Sequence, residues 1–387
     1  MERFALSRMK EWKENENRKP LIIRGARQVG KTWIMKTFGQ QYFEKTAYVN
    51  FDNNARMKQV FEGDLDIERL VLSISAETGV SIEAENTLII FDEVQEVPKA
   101  LTSLKYFYEN APQYAIVAAE SLLGVALHQG TSFPVGKVDF LDLYPLNFRE
   151  FLCAMGEKQF VSMLDSCDTQ MVTVFKTKYI ERLREYYFVG GMPEVVKDFS
   201  EKKDYNRVRA IQKNLINYYQ QDFSKHAEIK LVPRLNLVWN SIPMQLAKEN
   251  KKYIYGQVRE GSRAKDFELA IQWLLDCGLI HKVQRIQKPD LPLKAYIDFD
   301  AFKLFLVDIG LLIAMTDLDA KVIIEGNKIF TEFKGALTEQ YILQQLISDV
   351  GVIPYYYSTQ NSKGEIDFLV QGKTSVIPIE VKAEENL

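Results

Sequence analysis

A short apolar run that leads into a glycine-rich loop constrains this chain more than any other stretch. Leu21-Ile22-Ile23 precedes GARQVGKT, Gly25 to Thr32, which has the pattern G-x-x-x-x-G-K-T of a phosphate loop. Its two glycines allow backbone angles that a side chain forbids, so the loop can turn its N–H groups inward toward an anion. The helix expected from Lys31 would add the positive end of its dipole. The sequence therefore predicts a strand, a phosphate-binding loop and a helix, in that order.

The positions of this loop have predicted tasks in holding a nucleoside triphosphate and Mg²⁺. Lys31 would reach the β- and γ-phosphates, and the hydroxyl of Thr32 would be a ligand of Mg²⁺. A loop of this kind by itself fits a kinase, a GTPase or an ATPase. The predicted nucleotide-binding residues of the loop are Gly25, Ala26, Arg27, Gln28, Val29, Gly30, Lys31 and Thr32.

A second apolar run, from Thr87 to Phe91, ends in the carboxylates Asp92 and Glu93. The run predicts a central parallel strand that is buried on both faces. Asp92 at its end would hold the Mg²⁺ with its water shell. Glu93 is placed to polarise the attacking water as a general base, and it joins Lys31 as a predicted catalytic residue.

Length, charge and cysteine usage limit the remaining choices. The chain has 387 residues, which suggests two or three domains. Its net charge of −3 gives no global basic field, so any nucleic-acid binding must come from local patches. The three cysteines are scattered, which fits a reducing cytoplasm and makes no metal cluster. No apolar run approaches the roughly 18 residues of a membrane span, so no membrane partner is expected.

Alternating strands and helices up to about residue 155 predict an α/β domain with a covered parallel sheet. An acidic pair with another strand after it resembles the AAA+ ATPases. The stretches GARQVGKTW, FDEVQEVP, SLLGVALH, SFPVGKVDFLDLYPLNFREFL and YFVGGMPEVV resemble the prokaryotic AAA-type ATPases that carry a C-terminal domain of unknown function. The resemblance implies ATP and Mg²⁺ as cofactors for a domain over residues 1–155, and it leaves an oligomer open.

In such ATPases the strand after the acidic pair carries a polar residue that senses the γ-phosphate. The resemblance makes Ser121 the candidate sensor and a third predicted catalytic residue; as an alternative, Ser121 caps the next helix. The residue before the sensor is commonly glycine, whereas this chain has Glu120. A carboxylate near phosphates is unfavourable unless it points away or meets a basic residue.

Two regions are predicted between the ATPase domain and the C-terminus. Residues 156–240 read as a helical lid, interrupted by a turn at Gly190–Glu194. Residues 241–325 show the order helix, helix, strand, which suggests a winged-helix-like region. This region contains the densest basic stretch of the chain, but nearby carboxylates dilute it, so a structural role is favoured and DNA stays an open partner. The basic residues are Lys248, Lys251, Lys252, Arg259, Arg263 and Lys265.

In the last segment, residues 326–387, Asp367 lies on one predicted strand, and Glu380 and Lys382 alternate on the next, which puts both on one strand face. This pattern resembles the PD-(D/E)XK nuclease core, a restriction-endonuclease-like α/β fold. Asp367 and Glu380 would hold a hard cation, with Glu339 nearby on a helix. Lys382 would position or activate the attacking water.

The chain ends soon after Lys382, whereas this core normally continues with a helix and a strand. The segment is therefore interpreted as truncated, or its fold as degenerate. Three functions follow as hypotheses: an Mg²⁺-dependent ATPase coupled to a nuclease-like or nucleic-acid-binding module, a nucleotide-dependent scaffold or switch with an inactive nuclease-like domain, and an active metal-dependent DNA nuclease.

Overall fold

The computed structural model describes residues 2–121, 133–248, 252–325, 331–359 and 364–382. Contacts divide the chain into two compact units. The N-terminal unit is Arg3–Tyr144, and the C-terminal unit is Pro145–Leu387 together with Met1–Glu2. None of the helices in the described ranges is long and apolar enough to cross a membrane.

The N-terminal unit is built on a five-stranded sheet in the order β2-β3-β4-β1-β5. Every neighbouring pair in this sheet is parallel, so each connection must cross over the sheet. The strands are β1 Leu21–Gly25, β2 Lys45–Asn50, β3 Thr87–Asp92, β4 Ala115–Ser121 and β5 Asp139–Asp142. The helices are α1 Ala5–Glu14, α2 Lys31–Tyr42, α3 Ala55–Glu62, α4 Ile67–Thr78 and α5 Pro98–Asn110.

The strand order explains the sequence of β3. All of its residues are buried, because β2 and β4 pair with its two edges and the faces of the sheet are covered. The predicted central strand that ends in an acidic pair is therefore confirmed. Helix α5 begins at Pro98, where the fixed φ of proline suits the first helical turn.

The C-terminal unit begins with helices. Its first helix has Asn147 as the N-cap, with Glu150 completing the capping box. The predicted turn at Gly190 is confirmed, since it separates two helices. The helices are α6 Phe148–Ala154, α7 Lys158–Asp165, α8 Thr169–Val174, α9 Lys176–Val189, α10 Pro193–Lys202, α11 Tyr205–His226, α12 Val232–Leu246, α13 Tyr255–Val258, α14 Ala264–Asp276, α15 Ile309–Met315, α16 Ala320–Ile324 and α17 Thr331–Gln345.

A second five-stranded sheet follows, in the order β10-β9-β8-β6-β7. Its β6–β8 pair is parallel and its other pairs are antiparallel. The sheet joins strands of the predicted winged-helix-like region to those of the predicted nuclease-like region, a long-range pairing that no local pattern shows. The strands are β6 Ile280–Ile286, β7 Ile297–Leu306, β8 Tyr355–Ser358, β9 Glu365–Gln371 and β10 Val376–Ile379.

One prediction about this sheet is wrong. Glu380 and Lys382 do not alternate on a strand, because β10 ends at Ile379. Beyond that point the N–H of Val381 donates to the side chain of Asp367, at 2.8 Å from Oδ2. A carboxylate thus takes the N–H that a continuing ladder would give to a backbone carbonyl.

A buried carboxylate anchors the turn between α9 and α10. Asp308 accepts hydrogen bonds from the N–H of Gly191 at 2.6 Å and of Leu311 at 3.0 Å. Gln344 of α17 donates to the same side chain at 3.3 Å. A Cβ at Gly190 would lie 2.2 Å from Asp308 Oδ1, so the close approach of the turn requires glycine. These bonds tie the helical segment to the helix before the last three strands.

Candidate nucleotide site

The phosphate loop, Gly25 to Thr32, lies between β1 and α2 as predicted. A Cβ at Gly25 would lie 2.2 Å from the carbonyl oxygen of Leu143, so the end of β1 passes too close to a neighbouring chain segment for any side chain. Gly30 is the N-cap of α2 with a φ of 95°, in the left-handed region that favours glycine. Both glycines of the motif are thus required by the backbone.

The side chain of Lys31 turns back toward the start of the phosphate loop. Its Nζ donates to the carbonyl oxygens of Gly25 at 2.8 Å and Ala26 at 2.9 Å. Burial lowers the pKa of Lys31 to about 8, although Glu93 and Asp92 act in the opposite direction. An ammonium ion held only by neutral carbonyls in a buried site is a ready partner for an anion, because an opposite charge offsets its desolvation.

Asp92 is the centre of the hydrogen bonding at this site. Its Oδ2 accepts hydrogen bonds from the Thr32 hydroxyl at 2.7 Å and from the Tyr48 hydroxyl at 2.8 Å. Its Oδ1 accepts the N–H of Glu93 at 3.1 Å. The structure therefore brings together Thr32 and Asp92, the two predicted Mg²⁺ ligands. Both ligands present oxygen, which is the donor that Mg²⁺ prefers, so they fit the ion that the resemblance implies.

Tyr48 was missed by the sequence analysis. Burial, and then its hydrogen bond to Asp92, raises the pKa of Tyr48 far above its usual range, so the hydroxyl stays a neutral donor at ordinary pH. Lys36 lies over the ring, with Nζ 3.8 Å from the centroid. No local pattern marks this role, because it depends on the parallel pairing of β2 with β3. In that pairing Asn50 lies opposite Asp92, and Tyr48 shares a strand face with Asn50.

Glu93 has an unusual backbone for a residue with a side chain. Its φ of 53° and ψ of 44° place it in the left-handed region, which few residues other than glycine adopt. Gln95 donates to the carboxylate of Glu93. Such backbone angles cluster at functional sites, where surrounding contacts hold the residue in place. The backbone of Glu93 is therefore consistent with its predicted role as a base.

The end of β4 lies between the phosphate loop and Asp92, because β4 is the strand between β1 and β3. Ser121 is paired with Gly25 in this register, which puts its backbone at the predicted sensor position; its side chain lies outside the described residues. Glu120 is paired with Arg24 and is fully buried. Burial raises the pKa of Glu120 to about 7, while the charges of Arg24 and Lys31 lower it. The carboxylate therefore meets basic residues, one of the two ways in which it can be tolerated there.

A second residue missed by the sequence analysis supports the loop from behind. Arg3 is buried, and its guanidinium donates to the carbonyl oxygens of Val29 at 3.1 Å and Tyr144 at 2.6 Å. These hydrogen bonds join Arg3 to the phosphate loop and to Tyr144, two residues after the end of β5. The sequence carries no local signal for it, because an arginine near a charged N-terminus is usually exposed.

The predicted nuclease-like residues lie in the C-terminal unit, and they differ in burial and in hydrogen-bond partners. Glu339 of α17 is buried and accepts from Lys303 Nζ at 3.5 Å, while Asp367 accepts from a backbone N–H. Glu380 and Lys382 form an ion pair of 2.5 Å, with side chains that are 49% and 66% exposed. Among the residues that the structure describes, no three or more His, Cys, Asp or Glu are grouped closely enough to hold a metal ion.

Three segments of the chain match models of protein families. Residues 17–152 match the AAA domain. Residues 180–322 match a domain of unknown function, DUF8612, and residues 334–387 match another, DUF4143. A search of the curated proteins finds no match.

Solved structures resemble the chain at low sequence identity. A Walker-type ATPase of Pyrococcus abyssi is 14% identical over 81% of this chain and 95% of its own, with a TM-score of 0.50. The RuvB Holliday junction branch migration motor of Thermotoga maritima is 10% identical over 72% and 87%, with a TM-score of 0.33. Drosophila ORC bound to DNA is 13% identical over 78% and 90%, with a TM-score of 0.30. The first likeness shows the fold alone, and the other two scores are too low for any argument.

These comparisons confirm the coarser part of the sequence interpretation. The AAA-domain match and the fold of the N-terminal unit support an AAA-type phosphate-loop ATPase, a class that binds nucleotides. The C-terminal match is to a domain of unknown function, as the resemblance implied. The family matches and the solved structures named above do not show a nuclease-like identity for the second sheet.

Proposed function

We propose that the N-terminal unit is an Mg²⁺-dependent ATPase. The observation that carries the proposal is the 2.7 Å hydrogen bond from the Thr32 hydroxyl to Asp92 Oδ2. It joins the residue after the loop lysine to the acid at the end of β3, so both predicted Mg²⁺ ligands are already adjacent. Bound Mg²⁺ would neutralise charge on the phosphates as they are cleaved.

The side chains around this pair have separate tasks in the proposal. Lys31 exchanges its bonds to loop carbonyls for bonds to phosphate oxygens. Asp92 is held in orientation by the hydroxyl of Tyr48 and the N–H of Glu93. Glu93 accepts a proton from the attacking water, which is a general-base role. Ser121 completes the site as the proposed sensor of the γ-phosphate.

Two variants test the chemistry of this site. Lys31→Ala is expected to abolish ATP binding, because it removes the cation that offsets phosphate charge. Glu93→Gln is expected to keep binding and lose turnover, because the amide cannot accept the proton. Lys58→Ala, an exposed lysine on α3 of the same unit, is the matched control for the first variant. Binding is measured by calorimetry and turnover by phosphate release; normal hydrolysis by Glu93→Gln would remove Glu93 from the mechanism.

A second candidate function is a nucleotide-dependent switch with slow or absent hydrolysis. Glu120 favours it, because this buried carboxyl group at the end of β4 stands where the resemblance leads us to expect glycine. Steady-state hydrolysis with and without DNA separates the two candidates. A switch binds ATP tightly and releases almost no phosphate under either condition, whereas the ATPase turns over.

For the C-terminal unit we propose a role that is coupled to the nucleotide state, with DNA as the candidate partner. The support is the exposure of three basic residues that flank the start of α14, namely Arg259, Arg263 and Lys265. A DNA-binding isotherm at several salt concentrations, with and without ATP, tests it. Binding that weakens with salt and changes with nucleotide is expected; salt-independent or absent binding removes DNA as a partner.

A further inference from the structure

A buried lysine lies among the carboxylates of the C-terminal sheet. Lys303 is on β7, and its side chain has no exposed surface. Its Nζ lies 2.5 Å from Oε1 of Glu365 on β9 and 3.5 Å from Oε2 of Glu339 on α17. The ring of Tyr356 on β8 adds a third side, with its centroid 4.8 Å from Nζ. The ammonium group is therefore surrounded by groups from several elements of one unit.

The charges in this cluster favour a fixed cation. Glu339 is itself only 4% exposed at its side chain, and a buried carboxylate without a counter-charge is strongly unfavourable. The field of Asp367 also acts on Lys303, as expected for a carboxylate two residues from Glu365 on the same strand face. One ammonium ion thus neutralises part of a cluster that holds three carboxylates.

The cluster includes two of the three carboxylates predicted to form a nuclease-like metal site, Glu339 and Asp367. Asp367 Oδ2 accepts the N–H of Val381 at 2.8 Å, so this oxygen already has a hydrogen-bond partner in the chain. The third, Glu380, forms its ion pair with Lys382 near the surface. A divalent ion at Glu339 would have to displace the ammonium group of Lys303. This group is covalently part of the sheet, so, unlike a metal ion, it does not have to bind from solution.

We propose that Lys303 is a built-in cation of the C-terminal sheet. Its ammonium group takes the position between Glu339 and Glu365 that a divalent metal ion would need, and these carboxylates bind no metal in the native chain. The cluster then serves to join α17 to strands β7 and β9, and it performs no metal-dependent hydrolysis.

Titration of the full, nucleotide-free chain with Mn²⁺ tests this proposal, with bound metal counted by electron paramagnetic resonance. The native protein is expected to show no saturable site that depends on Glu339. Lys303→Gln removes the charge and leaves the carboxylates; it is expected to gain Mn²⁺ binding and an Mn²⁺-dependent rise in Tm. The gain should disappear in the double variant Lys303→Gln/Glu339→Gln. Lys282→Gln, a half-buried lysine on neighbouring β6, is the matched control and should gain nothing.

Two binding results would overturn the proposal, and so would one result of an activity assay. One is saturable Mn²⁺ binding by the native chain that is lost in Glu339→Gln. This comparison needs no Lys303 variant, so it remains decisive even if Lys303→Gln fails to fold. The other is a folded Lys303→Gln protein that gains no Mn²⁺ binding, because the ammonium group would then not occupy a cation position. Plasmid cleavage in Mn²⁺ by the native chain, lost in Asp367→Ala, would refute it through activity.

Discussion

Removal of one hydroxyl group, in Tyr48→Phe, is a sharp perturbation of the proposed Mg²⁺ site. The variant keeps the ring, its packing and the Lys36 ammonium group above it. It loses the hydroxyl, which donates to Asp92 Oδ2 at 2.8 Å and also interacts with the side chain of Asn50. A hydrogen bond to a charged acceptor contributes about 1.5–3 kcal/mol. Loss of a group that orients a metal ligand typically weakens metal affinity by about 10–100-fold. Because Tyr48 is only half-buried, we expect the low end, about tenfold.

The assay measures ATP hydrolysis as Mg²⁺ is varied, and ATP binding in the presence of EDTA. In Tyr48→Phe the Mg²⁺ concentration for half-maximal activity should rise, while metal-free ATP binding should not change, because Lys31 and the loop are untouched. Tyr106→Phe, on α5 of the same unit, is the control for loss of a hydroxyl. An equal loss of ATP affinity in EDTA would show a general structural effect, and an unchanged Mg²⁺ dependence would show that Asp92 does not rely on Tyr48.

Two further predictions concern close packing and buried charge. Gly25→Ala would place a Cβ 2.2 Å from the carbonyl oxygen of Leu143. We expect the free energy of unfolding, measured by urea denaturation, to fall by about 1–3 kcal/mol. We also expect weaker ATP binding, measured by calorimetry. Gly256→Ala, whose Cβ would meet nothing within 4 Å, should lose neither. Burial raises the pKa of Asp308 to about 6, above its value of about 4 in the unfolded chain. The contribution of protonated Asp308 to the free energy of unfolding is therefore fully present below about pH 4, and it is lost as pH rises through about 6. Relative to Asp308→Asn, the native chain should lose about 3 kcal/mol across that window; a constant difference would show that the carboxyl is ionised throughout.

The nucleotide site shows which parts of a site local sequence can predict. Lys31, Thr32, Asp92 and Glu93 could be predicted as site residues because each has a required place at the end of a strand or the start of a helix. Tyr48 was not found, since its role depends on the strand that pairs with β3. The direct bond between Thr32 and Asp92 also depends on the sheet order.

The C-terminal unit shows the opposite balance. The turn at Gly190, the helix that holds Glu339 and the strand that holds Asp367 lie where local patterns predict them. The end of β10 was misjudged, because Asp367 takes the N–H of Val381 through a side chain. The role of Lys303 could not be seen either, since a lone lysine on an apolar strand gives no hint of which carboxylates it will meet.

The amino-acid sequence by itself determined the phosphate loop, the acidic strand end and the alternation of elements, because these depend on backbone angles and burial within a few neighbouring residues. Only the tertiary structure decided that β4 lies between β1 and β3, that the second sheet unites two predicted regions, and that Lys303 sits between Glu339 and Glu365. These features depend on contacts between residues far apart in the chain, whose partners are chosen by the packing of whole elements and not by any local pattern.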